Sequence, residues 1–185
     1  MTAGAGRVLT WNSANLPTSI TKGTTSSSFL YGPGGGRYKQ VKTVSGVTTS
    51  TAYIGTLYEE VESGGVTDRK HYIFAGEERI AIYSAKTSGQ TSLKYLHGDH
   101  LGSTDTISDA TGAVIERLSY DPHGKRRNVN WTTPVEALLA VNTDRGFTGH
   151  EHLDELGLIH MTKSPGAILN SRRLAPQGRG QGQPE

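Results

Sequence analysis

Apolar and polar positions along this chain mark out short strands punctuated by glycine. Segments 37–44, 51–61, 70–74, 79–83, 92–97 and 113–120 are rich in Val, Ile, Thr and Tyr, residue types whose branched or aromatic side chains fit a pleated surface. Alternation within them is imperfect. In 51–61, Leu57, Glu59 and Val61 oppose Thr56, Tyr58 and Glu60, so neither face of that strand is wholly apolar. Such strands predict a one-layer sheet, wet or lightly covered on both sides, and not a dense sandwich.

A repeat runs through the same stretch. Tyr31, Tyr53, Tyr72, Tyr95 and Tyr120 are spaced by 22, 19, 23 and 25 residues. Turn signals at Ser45-Gly46, Gly64-Gly65, Ser88-Gly89 and Thr111-Gly112 fall between them, and Asp109-Ala110-Thr111-Gly112 is the clearest, because Asp caps nearby backbone N–H groups while Gly accepts positive φ. Each unit reads as a strand, a glycine turn and a strand, one β-hairpin per repeat. The fold class expected is all-β, made of stacked antiparallel hairpins in which each unit contacts only its neighbours. One short helix is expected near 134–141, from Thr133 as N-cap, Pro134 at the first helical position and Glu136 completing a capping box before Ala137-Leu138-Leu139-Ala140.

Composition narrows the class. The 185 residues hold 24 Gly and no Cys, which excludes a disulfide framework, a thiolate metal site and a cysteine nucleophile. No apolar run approaches the ~18 residues of a membrane helix, and residues 1–11 lack the apolar core of a signal peptide. The chain is therefore expected in the cytoplasm before export, or secreted by a route without an ordinary signal. The net charge of +2 is a property of the end of the chain. Residues 162–185 carry Lys163, Arg172, Arg173 and Arg179 against Glu185, leaving 15 basic and 16 acidic groups in residues 1–161. No basic footprint for nucleic acid shows in the body of the chain.

From Tyr95 onward the residues become specific. Tyr95-Leu96-His97-Gly98-Asp99-His100-Leu101-Gly102-Ser103-Thr104, then Ser108 to Val114, then Tyr120-Asp121-Pro122-His123-Gly124 resemble the Rhs family of Tyr-Asp (YD) repeat proteins. Arg145-Gly146-Phe147-Thr148-Gly149-His150-Glu151-His152 and Leu156-Gly157-Leu158-Ile159-His160-Met161 resemble the start of the Rhs repeat-associated core. The resemblance implies a spiral of hairpins forming a hollow β-shell around a C-terminal toxin, as in polymorphic toxins used in competition between bacteria. The implied partners are the toxin polypeptide, the remaining shell and secretion machinery. Nothing catalytic carries over, since after Met161 no Tyr, Phe or Asp occurs to match the family's self-cleavage segment, and no cofactor is implied. Along the chain this reads as an irregular partial repeat at 1–30, hairpin repeats at 31–125, the start of the core at 126–161, and a disordered tail outside the family pattern at 162–185. The whole is expected to be a truncated fragment of a longer shell, with Tyr95, His97, Asp99, His100, Leu101, Gly102, Tyr120, Asp121, Pro122, Gly124, Gly146, Phe147, Thr148, Gly149, Gly157 and Leu158 as its structural signature.

Other chemistry is weighed against this. His97, Asp99 and His100 are a candidate ligand set for zinc or manganese, and His150, Glu151, His152, Asp154 and Glu155 form the densest ionisable cluster. The zincin pattern needs two His four apart on a helix, and here they are two apart, so a structural turn packed on Phe147 is preferred. Gly32 to Arg37 lacks the Lys-Ser/Thr of a phosphate loop and reads as an inter-strand loop. The tyrosines read as cross-strand packing before they read as a platform for sugars. Three functions are thus carried, in this order: a non-catalytic toxin-shell section, a carbohydrate or cell-surface binding module, and a metal-dependent hydrolase built on the His cluster.

Overall fold

In a computed structural model, residues 3–4, 6–130, 142–160 and 168–170 are described. Strands β1 (Ala3–Gly4), β2 (Arg7–Trp11), β3 (Pro17–Lys22), β4 (Thr25–Tyr31), β5 (Arg37–Val44), β6 (Val47–Ile54), β7 (Tyr58–Ser63), β8 (Val66–Ala75), β9 (Glu78–Lys86), β10 (Thr91–Gly98), β11 (Thr104–Asp109) and β12 (Val114–Arg117) form one sheet in strict sequence order. Every pairing is antiparallel. The sheet is the stack of hairpins that the Tyr and Gly recurrence predicts. β13 (Ser119–Tyr120) pairs with β14 (Arg126–Arg127), and β15 (Glu151–Leu153), β16 (Leu158–His160) and β17 (Ile168–Asn170) form a small third sheet.

Three expectations are corrected. The single strand expected at 51–61 is broken after Ile54, where Gly55 takes φ 58° and turns the chain so that Tyr53 pairs with Glu59. Residues 1–30, expected as an irregular partial repeat, hold the first four strands of the main sheet, β1 to β4, the last ending at Tyr31, because Ile20 and Phe29 supply inward anchors as good as those further on. Within the tail expected to be disordered, Ile168–Asn170 pairs with β16. The helix expected near 134–141 lies outside the described residues.

The two sheet faces differ more than the sequence pattern suggests. Successive pairings place Leu9, Ile20, Phe29, Gln40, Tyr53, Glu59, Tyr72, Ile82, Leu96 and Ile107 on one face. Two apolar clusters form on that face. Ile20 and Phe29 pack with Leu153, Leu156 and Leu158, and Tyr72, Ile82, Leu96 and Ile107 pack together with Phe74 and Leu118 at their margin. The expectation of a sheet wet or lightly covered on both sides therefore holds for one face only, since residues 143–160 cross the other. On the opposite face Val8, Leu30, Ile54, Ile73, Tyr83 and Tyr95 stay exposed.

This asymmetry sets the energetics of substitution. Ile20→Ala removes a fully buried side chain at the seam between sheet and strip and is expected to cost about 2–4 kcal/mol in urea unfolding. Ile54→Ala, on a side chain 67% exposed, is expected to stay within about 0.5 kcal/mol. Equal effects at the two positions would contradict the one-sided burial.

Candidate functional site

The site is the contact between the sheet's covered face and the strip 142–160, and it starts from local turn chemistry. Among the described residues seven five-residue turns share one pattern, in which the N–H of the first residue donates to the C=O of the fifth and the N–H of the fourth donates back to the C=O of the first. They begin at Asn12, Gly32, Lys86, Asp99, Asp109, Asp121 and Gly146. In each the fourth residue has positive φ, the geometry of a type I turn closed by a bulge. Where the first residue is Asn12, Asp99, Asp109 or Asp121, its Oδ1 accepts two further backbone N–H groups within the turn. Asp99 and Asp121 are thus turn-formers, Pro122 takes the second turn position, and His100 and Leu101 point to solvent at the tip of theirs.

The signature residues that follow are brought together in space. The Tyr120 hydroxyl donates to the Thr104 carbonyl at 2.7 Å, Thr104 N–H donates to the Gly146 carbonyl at 3.3 Å, and Thr148 N–H donates to Ser103 Oγ at 3.1 Å. Tyr120 also packs against Phe147 and His152, with ring centroids 5.9 and 5.6 Å apart. Two glycines make this approach possible. A Cβ on Gly146 would lie 2.8 Å from both His152 Nε2 and the Tyr120 hydroxyl, and one on Gly124 would lie 2.6 Å from Phe147. Further along, Gly157 closes the short turn Asp154–Leu156 in a left-handed conformation, its carbonyl accepts from Arg7, and Leu158 joins the Ile20 cluster.

The repeat tyrosines do not all share one role. Tyr31, Tyr53, Tyr72 and Tyr120 turn their hydroxyls to partners 13 to 16 residues earlier, namely Pro17 O, Gln40 Oε1, Glu59 Oε2 and Thr104 O. Tyr95 departs from the series. In β10 it is Leu96 that faces the cluster, and Tyr95 stands on the open face at 40% exposure. A register displaced by one residue inverts a side chain's face.

Between sheet and strip lies a buried ionic seam. Glu151 pairs with Arg37, lies 3.4 Å from Arg145, and accepts from the Tyr53 hydroxyl at 3.0 Å. Arg145 also bonds Glu59 at 2.6 Å, and Glu59 accepts from the Tyr72 hydroxyl at 2.8 Å. Burial works to raise the pKa of Glu151, but the Arg37 and Arg145 guanidiniums overcome it and hold the carboxyl down at about 2. At Glu59 burial wins, reinforced by Asp144 and Glu151, and the pKa is raised despite Arg145. Burial pushes both phenols upward. Sequence reasoning missed Arg37, Glu59 and Arg145 as partners. The faint signal available was charged residues at inward positions of otherwise apolar strands.

The His cluster takes a definite form. His152 Nε2 accepts the Phe147 N–H at 3.0 Å, which places its proton on Nδ1, 3.3 Å from Asp154 Oδ1. Asp154 in turn pairs with Arg126 at 3.0 Å. Glu151 is saturated by guanidiniums and phenol. His97 bonds Ser108, apart from the turn that occupies Asp99. Among the described residues no three metal-ligating side chains converge.

Comparison with known proteins adds one likeness. No family model matches the chain, and no curated protein matches it. Solved structures do. A crystal structure of TcdB2-TccC3 superposes with a TM-score of 0.70 at 17% identity over 90% of this chain and 9% of the other. The same pair with Cdc42 gives 0.71 at 18% identity over 92% and 9%. The Photorhabdus luminescens Tc holotoxin pore gives 0.68 at 19% identity over 87% and 8%. The chain thus has the β-rich fold found in a section of these toxin chains, and spans less than a tenth of their length.

The seam generates a mutational and a pH prediction. Arg145→Met leaves Glu59 and Glu151 short of a buried partner and is expected to cost about 3–5 kcal/mol by urea unfolding. A loss under about 1 kcal/mol would show the pairs to be solvated. For pH, burial and then Arg37 hold the His160 pKa down to about 4, so the unfolded chain takes up this proton first. Its stabilising effect is complete above pH 6.5 and fades between 6.5 and 4, by about 3 kcal/mol. Glu151, with its pKa depressed, adds a loss as pH falls from 4.5 toward 2, while Glu59, with its pKa raised, opposes it. Melting temperature is expected to be flat above pH 7 and to fall below 6.5, and His160→Gln should shrink the upper part of that fall, leaving the share of His152, whose pKa burial also lowers.

Proposed function

We propose that this chain is a non-catalytic section of the wall of an Rhs/YD-repeat toxin shell, whose work is to enclose and carry a toxic polypeptide between bacteria. The observation that supports the reading best is the unbroken sequential meander with one face sealed by the 142–160 strip, together with its likeness in fold to toxin chains about ten times longer. In such a wall backbone pairing between successive hairpins supplies continuity. The polar groups at the centre are consumed in holding the wall shut: Glu151 by two guanidiniums, His152 by the Phe147 N–H, Asp99 and Asp121 by their own turns. Partners in this reading are the toxin polypeptide, the rest of the shell and an export machinery. No helix among the described residues is long and apolar enough to cross a membrane.

Electron microscopy of this chain expressed together with the sequence adjoining it in its genome is expected to show a hollow particle whose wall is one sheet thick. A compact particle with no internal cavity would overturn the reading.

A second reading, a carbohydrate or cell-surface binding module, is favoured by one observation. On the open face Tyr58 and His71 pack edge to face at 4.9 Å, and His71 and Tyr83 lie 6.2 Å apart, so aromatic surface is presented to solvent, where it suits stacking.

A further inference from the structure

A cleft of about 570 Å3 opens where the β8–β9 turn, the β10–β11 turn and the turn at 146–150 converge. Arg79, Leu96, Thr104 and Thr148 line it, and so do Gly98, Gly102 and Gly149. Arg79 is the group the ionic seam does not use. Its guanidinium carbon sits 4.7 Å from the centre of the Tyr72 ring and 5.3 Å from that of Phe74, contacts that hold the fork in place. Arg37, Arg126 and Arg145 each have a carboxylate partner. Among the described residues Arg79 has none within ion-pair distance, and its Nε is buried without a hydrogen-bond acceptor. Burial, and then the nearby Arg145, lower its pKa against the opposing pull of Tyr72, Glu59 and Asp144.

The surroundings narrow the ligand. A guanidinium fork matches a carboxylate or phosphate. Glu77 and Glu78 also line the cleft, and both are exposed at its mouth, so a ligand bearing only negative charge meets repulsion there. Asp99 is engaged, its Oδ1 accepting from Leu101 and Ser103. A carboxylate with a cation beside it satisfies Arg79 and the two glutamates together. The glycines remove side chains from the walls, which allows close approach of another backbone.

We propose that this cleft binds an extended polypeptide segment carrying an acidic side chain next to lysine or arginine, with the carboxylate on Arg79 and the cation against Glu77 and Glu78. Nothing in the site depends on the wall enclosing a cargo, so failure of one reading leaves the other standing.

Calorimetric titration of the full 185-residue chain at pH 7 tests it, using the end-blocked peptide Gly-Lys-Glu-Lys-Gly, its Gln counterpart and inorganic phosphate. The Glu peptide is expected to bind saturably, and to bind about tenfold less tightly when Glu is replaced by Gln or when the protein carries Arg79→Gln. No binding, equal affinity for the Glu and Gln peptides, or phosphate binding as tight as the peptide would each overturn the proposal. Since Arg79 packs on two rings, Arg79→Gln must show a wild-type melt to be read. If it does not, the double variant Glu77→Gln/Glu78→Gln at the exposed mouth decides. It is expected to weaken the Lys-Glu-Lys peptide several-fold and leave a Ser-Glu-Ser peptide unchanged, whereas no difference between the two peptides would overturn the assignment.

Discussion

A sheet one layer thick cannot bury its own face, and everything else in this molecule follows from how that face is covered. The cover is the strip 142–160, and what holds its centre is charge: Glu151 between Arg37 and Arg145, and Glu59 on the far side of Arg145. Taking such groups out of water costs several kcal/mol each, which their mutual attraction offsets only when the geometry is good and the remaining lone pairs are filled. Here the phenols of Tyr53 and Tyr72 fill them. The seam gains specificity that an apolar contact of the same area would lack, because a strip shifted by one residue would leave two guanidiniums and two carboxylates buried without partners. Apolar packing finishes the seal at one end, where Leu153, Leu156 and Leu158 meet Ile20 and Phe29.

The repeat contributes regularity and the strip contributes the exception. Five of the seven turns with one hydrogen-bond pattern join successive strands of the main sheet, and an Asp or Asn at the first position stabilises four of the seven locally. The last of the seven begins at Gly146 and lies within the strip itself, so the device that reverses strands in the sheet also shapes the segment that covers it. Its glycine is needed for a second reason, the close approach of Tyr120 and His152.

The two faces of the sheet differ in chemistry. The covered face is committed to holding the strip, and its ionisable groups are spent on one another. Outside that seam lie Tyr58, His71 and Tyr83 on the open face and Arg79 in the cleft at the sheet margin. The likeness to TcdB2-TccC3 chains is a likeness of fold at 17 to 19% identity.

Much was legible from residue order, and the division has a physical basis. Strand periods, glycine turns and the Tyr spacing are local, set by backbone conformation within a few residues, and they determined the hairpin stack and the Asp109 turn. The break at Gly55 was missed because glycine within a strand run also reads as a bulge or a weak position. The inward face of each strand depends on register, so Tyr95 looked like its fellow tyrosines until Leu96 was seen to take the covered position. The roles of Arg37, Glu59, Arg145 and Glu151 were decided by tertiary structure alone. Arg37 meets Glu151 across 114 residues and Arg145 meets Glu59 across 86, and a buried charge acquires meaning only when the opposite charge arrives beside it.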